Sequence, residues 1–158
     1  MCIRDSSIRV DDLRGAAIAA LLREHLANAA RHSPPGSCHT LDLEGLRAPE
    51  VTFWSAWDGE DLLGFGALKA LGPEDGEVKS MHTAAAHRGR GVAAAILETL
   101  LAEARARGYR RVWLETGSME AYAPARRLYE RYGFETCEPF ADYVLDPYSM
   151  YMRLELSH

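Results

Sequence analysis

Arg88-Gly89-Arg90-Gly91-Val92-Ala93 decides how this chain is read, because of what stands on either side of it. Before it runs a strand-like segment, Glu77-Val78-Lys79-Ser80-Met81-His82-Thr83. After it an amphipathic helix begins, with apolar residues at Val92, Ile96, Leu97, Leu100, Leu101 and Ala104, close to helical spacing. A glycine-rich turn between a strand and a helix presents unpaired backbone N–H groups at the positive end of the helix dipole. Gly89 and Gly91 permit close backbone approach, and Arg88 and Arg90 add charge-assisted donors. The stretch therefore fits a pyrophosphate, and it fits equally a turn that merely starts a helix. Its spacing is neither G-x-G-x-x-G nor the phosphate loop G-x-x-x-x-G-K-[ST].

Working outward, Ser7–Val10 reads as a first strand, and Asp11 or Asp12 is placed to cap a helix with apolar positions Leu13, Ala17, Leu21, Leu22 and Leu26. Ser33-Pro34-Pro35-Gly36-Ser37 breaks the chain, and residues 38–49 read as a loop or short irregular helix. Val51–Trp57 and Leu62–Leu71 are β-rich and joined by the hairpin-like Asp58-Gly59-Glu60. The helix from Gly91 to Arg107 stops at Gly108, Arg111–Thr116 alternates as a strand, and Ala121–Tyr132 is a further helix ended by Gly133. Phe134–Tyr143 and Met150–Leu156 read as closing strands. The order is β-α-β-β-β-α-β-α-β-β, a mixed α/β domain expected to span residues 7–158.

The 158 residues are enough to enclose a core. A net charge of −5, from 18 Lys+Arg against 23 Asp+Glu, argues against nucleic acid as the main partner. The cations concentrate at residues 88–90 and 105–111, which suits a small anionic ligand better than a polymer. Cys2, Cys38 and Cys137 have neither metal-ligand spacing nor an obvious pairing, so no metal is expected. No apolar run approaches the roughly 18 residues of a membrane span. No signal-peptide core is visible, and a cytoplasmic location without membrane attachment is expected. Residues 1–6 stand apart: Met1-Cys2-Ile3-Arg4-Asp5 is what a transposon-end sequencing adaptor would encode. We expect them to be an artefact of assembling an environmental sequence.

The turn at Arg88–Ala93, with its R-x-x-G-x-A pattern, combines with Ala125-Arg126-Arg127-Leu128-Tyr129-Glu130-Arg131-Tyr132-Gly133-Phe134 and the strand between them. Together they resemble the Gcn5-related N-acetyltransferase (GNAT) superfamily, over Ile8 to Leu156. Lys79-Ser80-Met81, Leu114-Glu115-Thr116-Gly117-Ser118 and Cys137-Glu138-Pro139-Phe140 with Asp142-Tyr143 resemble a bacterial subgroup, labelled as acetyltransferases and sometimes linked by name to indole-acetic acid. The resemblance implies a mostly antiparallel mixed sheet with helices on both faces and two splayed parallel central strands, Glu77–Thr83 and Arg111–Thr116. It implies acetyl-CoA as co-substrate, with the pantetheine arm in the gap. Met81, His82 and Thr83 would give it backbone hydrogen bonds, and Arg88, Gly89, Arg90, Gly91, Val92 and Ala93 would hold its pyrophosphate. Dimers are common in the family, and the sequence leaves the oligomeric state open.

Acetyl transfer to an amine needs a neutral amine, although an alkyl ammonium with a pKa of about 10 is mostly protonated at neutral pH. It needs donors for the oxyanion, which a backbone N–H around Met81–Thr83 would supply, and it gains from a proton for the departing thiolate. By resemblance, Glu77 is the general base, directly or through water. Strand alternation puts it on one face with Lys79, Met81 and Thr83 and puts His82 opposite, in a backbone role only. The alternative for Glu77 is a solvated carboxylate paired with Lys79. Tyr129 matches the family's tyrosine near the CoA sulfur and is the general-acid candidate, or else a core aromatic. Tyr122 stands where many family members carry an asparagine that bonds the cofactor arm.

Glu115 is placed to bind a substrate ammonium, or to pair with Arg111 or Lys79. His39, Trp54 and Trp57 are acceptor-pocket candidates that packing would explain as well. Asp142, Tyr143 and Asp146 are weaker ones. By resemblance the 33–49 segment is a substrate-selecting lid. The expected partner is a small-molecule amine or amino acid. The alternatives are a protein or peptide acceptor, or a non-catalytic acyl-CoA-binding module.

Overall fold

The structure is a computed structural model and describes residues 6–32, 43–89, 91–141 and 143–156. Seven strands form one sheet: β1 (Ser6–Val10), β2 (Val51–Asp58), β3 (Asp61–Ala70), β4 (Asp75–Thr83), β5 (Arg111–Gly117), β6 (Glu135–Cys137) and β7 (Ser149–Glu155). Their spatial order is β1-β2-β3-β4-β5-β7-β6, and every neighbouring pair is antiparallel except β4–β5. The helices are α1 (Ala16–His32), α2 (Leu43–Leu46), α3 (Val92–Ala106) and α4 (Ala123–Arg131).

The apolar stripes explain the layers. Ile96, Leu97, Leu100 and Ala104 of α3 and Leu128 and Tyr129 of α4 are buried with Leu68, Val78, Val112 and Leu114 on one face of the sheet. Ile18, Leu21 and Leu22 of α1 and Leu46 of α2 pack with Phe53, Phe65 and Ala67 on the other. Gly66 is required where α3 crosses β3, since a Cβ there would lie 2.7 Å from both the Ile96 side chain and Met81 Sδ.

Both α3 and α4 end in a Schellman arrangement: Gly108 and Gly133 take positive φ, Tyr109 N–H donates to Ala104 O, and Phe134 N–H donates to Tyr129 O. The second cap fixes Tyr129, whose ring meets Phe134 edge-on with centroids 5.8 Å apart. The Leu128–Phe134 motif is thus a helix end that holds a tyrosine still.

The parallel pair is short. Asp75–Val78 pairs with Arg111–Leu114 and then pairing stops, so the ends of β4 and β5 diverge as expected. Three expectations are corrected. Asp11 and Asp12 do not cap α1: their carboxylates accept from Leu13 and Arg14 N–H in Asx turns, and the helix starts at Ala16. The strand expected over Phe134–Tyr143 is confined to Glu135–Cys137, because the chain then leaves the sheet to lay aromatic rings across it.

The third correction concerns the face of β4. Ala67 pairs with Lys79 but Phe65 pairs with His82, so Ser80 and Met81 together oppose Gly66. Ser80 takes φ +57 at this bulge. Alternation is thereby reset. Glu77, Lys79 and His82 face the α1 side, while Val78 and Met81 pack on the α3 side.

Candidate active site

Where β4 and β5 part, a cleft of about 970 Å³ opens, walled by both strands, α1, the first turn of α3, and α4. Its outer end is backbone. Gly89 and Gly91 adopt φ +77 and +80, Gly91 stands at the N-cap of α3 with no side-chain cap, and the first-turn N–H groups have no acceptor within the helix. Arg88, Gly89, Gly91, Val92 and Ala93 all border the cleft. These open donors at a helix N-terminus suit a phosphate group. Arg90 lies outside the described residues.

Its inner end is made of side chains. Glu77 is only 2% exposed. Its Oε2 lies 3.3 Å from Lys79 Nζ and accepts a 2.7 Å hydrogen bond from the Tyr143 hydroxyl. Lys79 in turn donates to that hydroxyl at 2.9 Å. Burial, reinforced by the Glu77 charge, pushes the Tyr143 phenol far above its ordinary range. Tyr129 borders the cleft from α4, and burial, with the Glu115 charge second, pushes its phenol well up too. Both hydroxyls therefore stay protonated at neutral pH.

Glu115 borders the same space from β5. Tyr122 does so from the turn before α4, its ring laid so closely on Gly117 that no Cβ would fit there. Arg126 Nη1 pins that turn, donating to Gly117 O at 2.7 Å and Met119 O at 2.8 Å.

On the outer wall His25 of α1 meets His82, with Nδ1 atoms 3.2 Å apart. One ring must donate and the other accept. His82 Nε2 lies 3.7 Å from Glu24 Oε1, so His82 suits the Nε2–H tautomer and His25 the Nδ1–H one. Burial, with His82 second, lowers the His25 pKa to about 4, and burial lowers that of His82.

The cleft thus brings together Glu77, Tyr129, Met81, His82, Thr83, Arg88, Gly89, Gly91, Val92, Ala93, Glu115 and Tyr122. Others do not join it. Trp54 is buried in the core on the α3 face, Trp57 binds Ser55 Oγ and lies under Arg9, and Asp146 holds the turn before β7 through Tyr148 N–H. His39, Asp142 and most of the 33–49 segment are outside the described residues. The sequence reading missed His25, although a histidine four residues from both Leu21 and Ala29 on an apolar stripe was its signal. It also underrated Lys79 and Tyr143, whose contact spans 64 residues.

The profile of the acetyltransferase (GNAT) family matches residues 16–134. The chain belongs to this family. An uncharacterized N-acetyltransferase of Bacillus subtilis, YsnE, is 53% identical over 149 residues, covering 94% of this chain and 99% of that protein. The corresponding YedL of Escherichia coli is 47% identical over 150 residues, covering 95% and 94%. A GNAT-family acetyltransferase of Elizabethkingia anophelis, solved with acetyl-CoA bound, superposes with a TM-score of 0.62 at 15% identity, covering 97% and 99%. The protein is an acetyltransferase of the GNAT fold.

Proposed function

We propose that this GNAT protein transfers the acetyl group of acetyl-CoA to the amine of a small molecule or amino acid by direct attack. The observation that carries the reading is one continuous cleft. It runs from the open N–H groups of the α3 turn, past the parted strands, to a carboxylate that is 2% exposed. Acetyl-CoA supplies the activated acetyl thioester. Arg88 and the backbone of Gly89, Gly91, Val92 and Ala93 suit its pyrophosphate. Backbone groups of Met81–Thr83, freed from β5 by the splay, suit the pantetheine arm, and one of those N–H groups is the candidate donor to the developing oxyanion.

Glu77 takes a proton from the acceptor ammonium, directly or through water, leaving a neutral amine to attack. Tyr129, kept protonated by burial, gives a proton to the departing thiolate and recovers one from the nitrogen, which sheds its second proton as the tetrahedral adduct collapses to the amide. Glu115 is positioned to attract the acceptor ammonium before it loses that proton.

The test is CoA thiol release from acetyl-CoA across a panel of amines, amino acids and short peptides, with wild type beside Tyr129→Phe. The expected result is turnover that depends on a small amine and a kcat at least tenfold lower in the variant. Tight acetyl-CoA binding without turnover on any acceptor would favour a non-catalytic acyl-CoA-binding module. Turnover on peptides alone would move the acceptor class to proteins.

A further inference from the structure

A carboxylate buried as deeply as Glu77 is disfavoured as an anion unless donors replace the lost water. Two donors do so, and they differ in kind. Lys79 is two residues along the same strand and reaches Oε2 at 3.3 Å. Tyr143 is 66 residues away, on the irregular chain between β6 and β7, and makes the shorter contact at 2.7 Å. The hydrogen bonds have one direction: Lys79 Nζ–H donates to the Tyr143 oxygen, and the Tyr143 O–H donates to Glu77 Oε2.

The segment carrying Tyr143 is tied down independently of Glu77. Tyr151 donates to Val144 O at 2.6 Å, Ser118 Oγ donates to Pro147 O at 2.7 Å, and the Tyr143 ring packs on Phe140 and Tyr151 with centroids 5.0 and 5.6 Å away. The phenol is therefore delivered to the carboxylate by a fixed support.

We propose that Tyr143 is a positioning residue for Glu77: its neutral hydroxyl, polarised by the Lys79 ammonium, donates to the buried carboxylate and holds it aimed into the cleft, ready to accept the acceptor's proton. This rests on the reading of Glu77 as the base. Other charged or titratable groups around Glu77 are Lys69, paired opposite it on β3, His82 on its own strand, and Glu115, Tyr122, Tyr129, Arg131, His25, Arg31 and Arg88 along the same cleft. The two groups that bond the Glu77 carboxylate directly are Lys79 and Tyr143. The proton accounting is simple. The ammonium loses one proton, Glu77 gains it, and the Tyr143 phenol keeps its own.

The experiment is a pH titration of the Glu77 carboxyl by 13C NMR in glutamate-labelled protein, assigned by its absence in Glu77→Gln. It is run for wild type, Tyr143→Phe and Tyr143→Leu, beside the pH profile of kcat/KM with the best amine of the panel. In Tyr143→Phe, which keeps the ring, the titration midpoint should rise by about one to two pH units, the equivalent of one hydrogen bond to a charged group. The acid limb of kcat/KM should rise with it, with KM for acetyl-CoA unchanged and the rate restored near pH 9. An unmoved midpoint overturns the proposal, as does a Tyr143→Phe profile like wild type with only Tyr143→Leu impaired, which would reduce Tyr143 to packing. A midpoint that rises while the acid limb stays put would show that Tyr143 holds a carboxylate that is not the base. That outcome removes Glu77 from the chemistry and leaves the hydrogen bond standing.

Discussion

At its outer end the cleft is lined by main chain: two glycines at φ +77 and +80, one arginine in view, and the open first turn of α3, all within a few consecutive residues. At its inner end it is lined by side chains brought from far apart, Glu77 and Lys79 on β4 and Tyr143 beyond β6. The first end is wet, and backbone donors there tolerate change in the side chains around them. The second is dry, so each charge needs a named partner, and losing one partner exposes the cost of burying the other. On the proposed reading, binding and chemistry are separated along one cleft, and substitutions at the two ends should separate affinity from rate.

The largest expected effect is at the inner end. Glu77→Gln should lower kcat/KM at neutral pH by about 10²–10³-fold, the usual contribution of a general base. The gap should narrow at high pH, where the free amine is already abundant. A pH–rate series in which both enzymes differ by a constant factor would take Glu77 out of that role.

The next effect tests whether the His25 wall is dry. Its folded-state pKa of about 4 lies below the unfolded value of 6.5. Between those values the unfolded chain binds the proton and the folded chain does not, so this histidine's contribution is present above pH 6.5 and lost as pH falls toward 4. Urea unfolding at pH 7 and pH 4.5 should show the wild type losing about 2 kcal/mol more than His25→Leu over that interval. Equal losses would mean that water reaches the ring.

The smallest effect concerns the bulge. A non-glycine residue in the left-handed region costs roughly 1–2 kcal/mol, of which glycine's freedom in the unfolded chain returns part. Ser80→Gly should therefore raise unfolding stability by about 0.5–1 kcal/mol while activity holds. Destabilisation would assign a buried role to the Ser80 hydroxyl.

The contrast between the two ends also explains what the sequence made legible. The glycine turn, the long helix and the Leu128–Phe134 segment are each built from consecutive residues, and glycine with helical periodicity marks them directly. The splay was implied by the family resemblance, and it is seen where β4–β5 pairing stops. The orientation of β4 did not follow, because period-2 alternation has no means of announcing a bulge at a serine. Glu77 was placed with Met81, and the extra residue at Ser80 instead puts it with His82. Tyr143 and His25 were hidden for another reason: their partners are 57 to 66 residues distant, and neither carries a local pattern beyond a polar ring in an apolar setting.

The most direct test of the division is calorimetric titration of acetyl-CoA into wild type, Gly91→Val and Glu77→Gln. A valine forced to φ +80 should distort the turn and weaken binding about tenfold or more, while Glu77→Gln should bind as tightly as wild type. Wild-type affinity in Gly91→Val together with lost affinity in Glu77→Gln would contradict the account, by placing the cofactor at the wrong end of the cleft.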